Sequence, residues 1–253
     1  MIHLEAKLEY SLPEPFRWID IPGKDYSISK YPITNAQYAR FIEAGGYNER
    51  QWWTAAGWDA RLKGLVLDYT KGEGVATDTP WTEPRFWNDS KWNGANYPVV
   101  GVTWYEAVAF CQWLSEVSGE NIMLPTEEQW QYAAQGDDGR TYPWGNEWDC
   151  TRCNNSVEPC QSDGTTPVQQ YEGKGDSPFG VVDMSGNVWE WCLTDYDQKT
   201  NDVNSDAQYR VIRGGGWFYF TKADCRCTFR YYDVPYGCYN FRGFRIVRIN
   251  AGS

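Results

Sequence analysis

The chain has very little histidine: one residue, His3, among 253. Ser-His-Asp triads, Cys-His nucleophiles and histidine-based zinc or iron sites all need a positioned imidazole. A residue so close to a chain end is rarely held in place. We therefore expect none of these sites, unless His3 folds inward.

Positive charge is also in short supply, with 23 Lys plus Arg against 34 Asp plus Glu and a formal net charge of −11. Nucleic acids and anionic membrane surfaces attract basic patches, so neither is expected as the main partner. No apolar run is long enough to span a bilayer, and residues 1–15 lack the apolar stretch of a secretory signal. We expect no membrane insertion, and a cytoplasmic location by default or display by an unrecognised route.

Aromatic residues, in contrast, are abundant: 15 Trp, 18 Tyr and 10 Phe make up 17% of the chain. Ten of these rings lie between Trp217 and Phe241. The runs Phe218-Tyr219-Phe220 and Tyr231-Tyr232 ignore the alternation of a half-buried strand, so at least half of the rings must face solvent or a partner. Exposed rings at this density indicate a binding patch; the alternative is a thick core under a long loop.

The eight cysteines leave their chemistry open. An even number suggests disulfides only in an oxidising compartment, which no signal supports. Cys150-x-x-Cys153 with Cys160 has metal-like or redox-like spacing, yet the second half of a zinc site is missing. We expect free thiols at most of the positions, which are Cys111, Cys150, Cys153, Cys160, Cys192, Cys225, Cys227 and Cys238.

Capping residues predict three main helices. Asn35 opens the first, and Thr103, with Glu106 three residues later, opens the clearest one, which Gly119 ends. Thr126 caps the third. A short helix near 50–58, strands within 14–34 and 209–248, and a long Gly- and Pro-rich loop over 136–186 complete an α+β pattern.

Seven motifs then follow one another in order and resemble those of the formylglycine-generating-enzyme (sulfatase-modifying factor) family. They read NAQY from Asn35, PVVGVTW from Pro98, LPTEEQW from Leu124, YPWG from Tyr142, DMSGNVWEW from Asp183, RGGGW from Arg213 and GFR from Gly243. The resemblance covers roughly 15–248. It implies a single C-type-lectin-like α+β domain over 1–253, with small antiparallel sheets, few helices and long ordered loops, whose C-terminal strands at 209–248 carry the variable region.

Structural calcium is implied by the same resemblance, because family members bind calcium at two loop sites through oxygen ligands. The residues matching the first site are Asn154, Asn155, Asp163 and Thr165, and those matching the second are Asp183, Gly186, Val188 and Glu190. The alternative is that Asn187 and Glu190 only tie a turn together by hydrogen bonds.

Catalysis is not expected. The family's enzyme oxidises a substrate cysteine through two copper-binding cysteines, and two thiolates are needed to hold Cu(I). Here the first of those positions falls on Tyr219, and Cys225 and Cys227 are too close in sequence to replace the pair. The related sulfoxide synthases bind iron through several histidines, which this chain lacks. A copper-dependent formylglycine-generating oxidase, or another sulfatase-modifying enzyme, is the alternative.

One branch of the family resembles this chain more closely: the variable proteins of diversity-generating retroelements. Their fixed frame matches RVIRGGGW from Arg210, Cys225-Arg226, Arg230 and Gly243-Phe244-Arg245. The resemblance implies a non-catalytic display protein that binds a protein ligand through diversified positions. These positions are Phe218, Tyr219, Phe220, Cys227, Tyr231, Tyr232, Asp233, Tyr236, Gly237, Cys238, Tyr239 and Asn240.

Overall fold

The computed structural model describes residues 11–68, 70–218 and 221–250. Four α-helices and ten short strands form an α+β fold in this part of the chain, which confirms the predicted class. The helices are α1 (Asn35–Glu43), α2 (Ala55–Lys63), α3 (Trp104–Ser118) and α4 (Glu127–Gln135). The strands are β1 (Trp18–Asp20), β2 (Tyr26–Ser29), β3 (Leu65–Asp68), β4 (Glu73–Ala76), β5 (Asn121–Met123), β6 (Trp189–Asp195), β7 (Arg210–Arg213), β8 (Arg230–Asp233), β9 (Arg242–Gly243) and β10 (Val247–Ile249).

Two four-stranded sheets and one hairpin organise the described strands. The first sheet has the order β1-β2-β10-β5, the second has the order β8-β7-β6-β9, and β3 pairs with β4. All pairings are antiparallel except β6 with β9, which is parallel. The predicted antiparallel strands at the C-terminus are confirmed for β7 and β8, whereas β9 runs parallel and β10 joins the other sheet. No helix in the described ranges is both long and apolar enough to cross a bilayer.

Side-chain caps fix where the helices begin. Thr103 accepts from the Glu106 amide while Glu106 accepts from the Thr103 amide, and Gly119 ends α3 with a left-handed φ of 74°, as predicted. Thr126 caps α4 in the same manner. The first helix corrects the sequence interpretation: its cap is Thr34, and Asn35 instead donates its side-chain amide to the Trp92 carbonyl at 2.8 Å.

The region after α1 is more regular than the sequence suggests. The predicted short helix near 50–58 divides into a 3-10 turn at Arg50–Trp52 and the separate helix α2. The hairpin β3-β4, which was not predicted, follows directly. The long loop over 136–186 is irregular apart from a 3-10 turn at Cys150–Arg152, and a disulfide joins Cys150 to Cys160 within it.

Aromatic rings fill the main core around α3. Phe110 stacks on Tyr38 at 5.5 Å and lies edge-on to Phe244 at 5.4 Å. Trp104, Trp130, Trp189 and Trp191 are buried, whereas Trp144, which stacks on Tyr142 in the 136–186 loop, is half-buried. Many of the aromatic rings are therefore buried in the core, and the exposure of the remaining rings has to be explained separately.

A buried carboxyl group gives this core a pH response. Glu106 accepts hydrogen bonds from the Tyr47 hydroxyl and from the Thr103 amide, and burial raises the pKa of Glu106 to about 7. The pKa of Glu106 is higher in the folded state than in the unfolded state, so protonated Glu106 stabilises the fold. This contribution to the free energy of unfolding is complete below about pH 4.5 and is lost as pH rises through 7.

We expect Glu106→Gln to remove this part of the pH dependence. The wild-type free energy of unfolding should fall by up to about 3 kcal/mol more than that of the variant between pH 4.5 and 8. Urea unfolding at both pH values measures the difference. Glu128→Gln, on the exposed side of α4, is the control, and equal slopes for wild type and Glu106→Gln would contradict the prediction.

Candidate ligand-binding face

The position of β8 explains why two consecutive tyrosines are exposed. It lies at the edge of its sheet and pairs only with β7, with Ile212 opposite Tyr231 and Val211 opposite Tyr232. Tyr231 is 48% exposed and Tyr232 is 37% exposed. The two rings stack on each other with their centroids 5.0 Å apart, so both lie together on the open edge of β8. The strand therefore presents rings that the core does not cover.

Other rings support these two tyrosines from beneath. Trp189 of β6 lies 6.0 Å from Tyr231, while Tyr196 and Tyr209 lie 4.5 and 4.8 Å from Tyr232. Centroid separations of this size are typical of favourable aromatic pairs. The supporting rings come from distant parts of the sequence, and no local sequence pattern marks them as neighbours of β8.

A cavity of about 270 Å³ opens among these rings. Its walls include Tyr231, Tyr232 and Tyr239, and an ion pair between Asp233 and Arg242 lies among them. The Arg242 guanidinium also lies 4.8 Å from the Tyr239 ring, so the pair is held by packing as well as by charge. The arrangement forms a small pocket with both aromatic and charged walls.

The predicted variable residues divide into three groups. Those at least partly exposed are Phe218, Tyr231, Tyr232, Asp233, Tyr236, Tyr239 and Asn240. Those buried are Cys227, Gly237 and Cys238. Tyr219 and Phe220 lie outside the described residues. We define the partly exposed group as the aromatic face, and the structure brings its β8 and 236–240 members together around the Asp233–Arg242 pair.

The buried group corrects the sequence interpretation. The Cys227 thiol packs in a second core, a separate hydrophobic cluster that includes Trp130 and Val211. It donates to the Ala134 carbonyl at 3.6 Å, and burial raises its pKa to about 12. A side chain on Gly237 would meet Asp233 Oδ2 at 2.7 Å. Cys238 accepts from the Arg85 guanidinium at 3.8 Å. None of the three presents a side chain to a ligand, because each position is needed by the packing beneath the face.

A rigid frame holds the face from behind. Arg213 is buried and donates to the Phe229 carbonyl at 2.6 Å, as expected of a bracing residue. Gly214 and Gly215 have φ values of 95° and 74°, where a side chain would be strained. Trp217 stacks on Trp92 at 5.5 Å. A preorganised frame reduces the entropy lost when a ligand binds.

The second predicted calcium site does not fit the ion. Both carboxylate oxygens of Glu190 are bound by Arg245, at 2.8 and 2.6 Å, and one also accepts from Trp130 Nε1 at 2.6 Å. Calcium at Glu190 would have to break this buried pair. Asn187 donates to Asp183 Oδ2 at 2.8 Å and ties the turn, as in the alternative interpretation, whereas Glu190 takes no part in it and Asp183 Oδ1 is buried without a partner among the described residues.

The first predicted calcium site would use the side chains of Asn154 and Asp163 and the backbone carbonyls of Asn155 and Thr165. Asn154 uses its side-chain amide on the Gly164 carbonyl at 2.9 Å, Asn155 points its amide at the Cys150 and Cys153 carbonyls, and Asp163 is exposed. The Thr165 hydroxyl is buried without a partner among the described residues. Calcium binding here stays a prediction, and a melting temperature that rises with calcium but not with magnesium would support it.

The structure pairs the copper candidates differently from the sequence. Cys225 and Cys227 are both buried but lie in separate surroundings, with Cys227 against Ala134. Cys225 instead meets Cys153, and a hydrogen bond between the two thiols is the first cause, ahead of burial, that raises the pKa of Cys153. Thiols with raised pKa values are poor nucleophiles. The partner thiol, Cys153, belongs to the 136–186 loop, and its spacing in the sequence does not indicate a contact with Cys225.

Comparison with known proteins places this architecture. The model of the "Sulfatase-modifying factor enzyme 1-like domain" matches residues 6–250. Serine/threonine-protein kinase Pkn1 of Chlamydia trachomatis serovar L2 is 32% identical over 92% of this chain and 34% of that protein. Hercynine oxygenase of Mycolicibacterium thermoresistibile is 30% identical over 92% of this chain and 52% of its own length. The chain thus spans about a third to a half of these relatives.

A relative named as inactive is also similar. Inactive C-alpha-formylglycine-generating enzyme 2 of Bos taurus is 28% identical over 89% of this chain and 78% of its own length. Among solved structures, PvdO from Pseudomonas aeruginosa superimposes with a TM-score of 0.64 at 19% identity, covering 92% of this chain and 91% of that one. Treponema denticola variable protein 1 has a TM-score of 0.58 at 18% identity, with 92% of both chains covered. These structures share the fold.

Proposed function

We propose, from the premise that the chain belongs to the sulfatase-modifying factor enzyme 1-like domain family, that it is a non-catalytic, C-type-lectin-like display protein. It binds a protein ligand through the aromatic face, whose positions are diversified. The observation that carries this proposal is the exposure of Tyr231 and Tyr232 on an edge strand above a rigid, buried frame. Tyrosines with small polar neighbours are typical of adaptable protein-binding surfaces.

The chemistry of the face favours recognition over catalysis. Its one carboxylate near the cavity, Asp233, is paired with Arg242 and accepts from the Val234 amide at 2.7 Å. Rings with polar tips supply large contact areas at a low entropy cost, and a partner side chain could enter the cavity between them. A protein partner suits this surface, and the net charge of −11 opposes nucleic acid.

Sequencing the 3′ end of the coding region in independent isolates tests diversification. We expect amino-acid differences to concentrate at the aromatic face, while the buried Arg213, Trp217 and Arg245 stay constant. Adjacent DNA should hold a near-copy of this segment beside a reverse transcriptase. Differences spread evenly over framework and face, with no such copy, would overturn the proposal.

A copper-dependent oxidase is the second candidate, and one specific observation favours it. Cys153 and Cys225 meet in the fold, so the structure brings together a pair of thiols that the sequence did not indicate. Two thiolates suffice for Cu(I). Against it, both residues are almost fully buried, which opposes access of a substrate, and the pKa of Cys153 is raised.

Anaerobic Cu(I) titration separates the two candidates. We expect no tight one-to-one binding by the wild-type chain, because both thiols are buried and closed to a copper ion from solvent. Tight binding that is lost in Cys225→Ser and Cys153→Ser, but kept in the control Cys111→Ser, would favour the oxidase. Cys111 is a suitable control because it lies within α3 in the main core, in a cluster that contains neither Cys153 nor Cys225.

A further inference from the structure

A second cavity, of about 280 Å³, lies where α2 begins and shares no lining residue with the cavity of the aromatic face. Its lining includes the first residues of α2, the loop at 203–207 and Arg210. Trp104, Tyr105 and Pro235 supply its less polar wall. The function proposed above makes no use of this cavity.

Arg210 brings an unmatched donor to the cavity although it is only 2% exposed. Its Nη1 donates to the Leu193 carbonyl at 2.9 Å and its Nη2 to the Ser205 carbonyl at 3.1 Å, while the guanidinium stacks 3.9 Å from the Trp104 ring. Its Nε and the Ser205 hydroxyl are both buried with no hydrogen-bond partner among the described residues. Buried donors without acceptors are costly and call for a partner.

The start of α2 adds further donors. Thr54 caps the helix by accepting from the Gly57 amide, which leaves the first-turn amides of Ala55 and Ala56 without a helical carbonyl to bind. Both residues line the cavity. The positive end of the helix dipole favours an anion at this point.

The number of hydrogen-bond donors in this cavity and the charges around it favour a carboxylate over a phosphate dianion. One guanidinium N–H, one hydroxyl and two amides match the four lone pairs of a carboxylate, whereas a phosphate dianion would need more. Asp206 lies on the exposed rim of the cavity, and the buried Asp195 interacts electrostatically with Arg210. These carboxylates disfavour a dianion, but Asp206 suits an ammonium group.

We propose that this cavity binds a small zwitterionic amino acid. Its carboxylate lies against Arg210 Nε, the Ser205 hydroxyl and the start of α2, and its ammonium group faces Asp206. The cavity volume suits a compact amino acid, whose side chain packs against Tyr105 and Pro235.

Titration of the ¹⁵N-labelled protein with glycine, acetate and inorganic phosphate tests the proposal. The Nε–H signal of Arg210 and the amide signals of Ala55 and Ala56 should shift saturably with glycine, less with acetate and not with phosphate. Absence of a saturable glycine shift, or a stronger response to phosphate or acetate, would overturn the proposal.

Two gentle variants locate the ligand. Ala55→Pro removes an amide N–H at a helix position that tolerates proline, and Thr54, with φ −60° and ψ 161°, already has the backbone that precedes proline. Ser205→Ala removes the hydroxyl. Each should raise the Kd for glycine about tenfold, since one hydrogen bond to a charged group is lost, while the exposed control Ser90→Ala should not. An unchanged Kd in both folded variants would contradict the assignment.

Discussion

Replacing Tyr231 and Tyr232 together by alanine is expected to lower the affinity for a protein ligand at least about a hundredfold, since central aromatic residues contribute about 2 kcal/mol or more each. The free energy of unfolding should fall by only about 1–2 kcal/mol, because both rings are partly exposed and lose pairings at the surface. Binding assays and urea unfolding of the same samples measure the two effects.

Two control variants show whether an effect of the double replacement on binding or on stability is specific to these tyrosines. Leu62→Ala removes a side chain that is 46% exposed on α2 and should change neither property. Tyr38→Ala removes a buried ring stacked on Phe110 and should cost about 3–5 kcal/mol. A loss of that size from Tyr231 and Tyr232 would show that their rings support the fold rather than recognition.

Arg245→Met is expected to destabilise the protein by about 3–5 kcal/mol, because it leaves the buried carboxylate of Glu190 unpaired. Both side chains are fully buried, and Arg245 also donates to the Ser29 carbonyl at 3.1 Å and the Val182 carbonyl at 2.8 Å. Equilibrium unfolding measures the loss. The double variant Glu190→Gln with Arg245→Met should recover part of it, and a single-variant loss below about 1 kcal/mol would contradict this account.

This ion pair also explains how the face is kept rigid. Glu190 belongs to β6 in the sheet that carries the aromatic face, whereas Ser29 ends β2 in the other sheet. Arg245 therefore connects the two sheets through the core. The cation that balances Glu190 is part of the chain itself, which is the physical reason that the predicted calcium site there does not fit.

Local signals made the helices predictable, since Thr103, Thr126 and Gly119 act through contacts within a few residues. The binding site was harder to predict, because tertiary packing decides which of its residues are buried and which are exposed. Alternation and composition placed rings on the C-terminal surface, but they could not show that Cys227 turns into the second core or that Asp233 leaves no room for a side chain on Gly237.

Long-range contacts were beyond the sequence for the same reason. Cys153 and Cys225 lie far apart in the chain and meet only after the 136–186 loop folds back. Tyr196 and Tyr209 join the aromatic face from the connection before β7. The donors at Ala55, Ser205 and Arg210 converge from three separate segments, none of which carries a recognisable ligand motif.

Selection from a displayed library tests the central proposal most directly. Tyr231, Tyr232, Tyr236, Tyr239 and Asn240 are randomised together, and a control library randomises exposed positions elsewhere, such as Leu62, Val117 and Gln169. The account predicts that most clones of both libraries melt within about 10 °C of the wild type, and that only the face library yields binders to a purified target protein. A face library whose clones unfold, or that yields no more binders than the control, would contradict it.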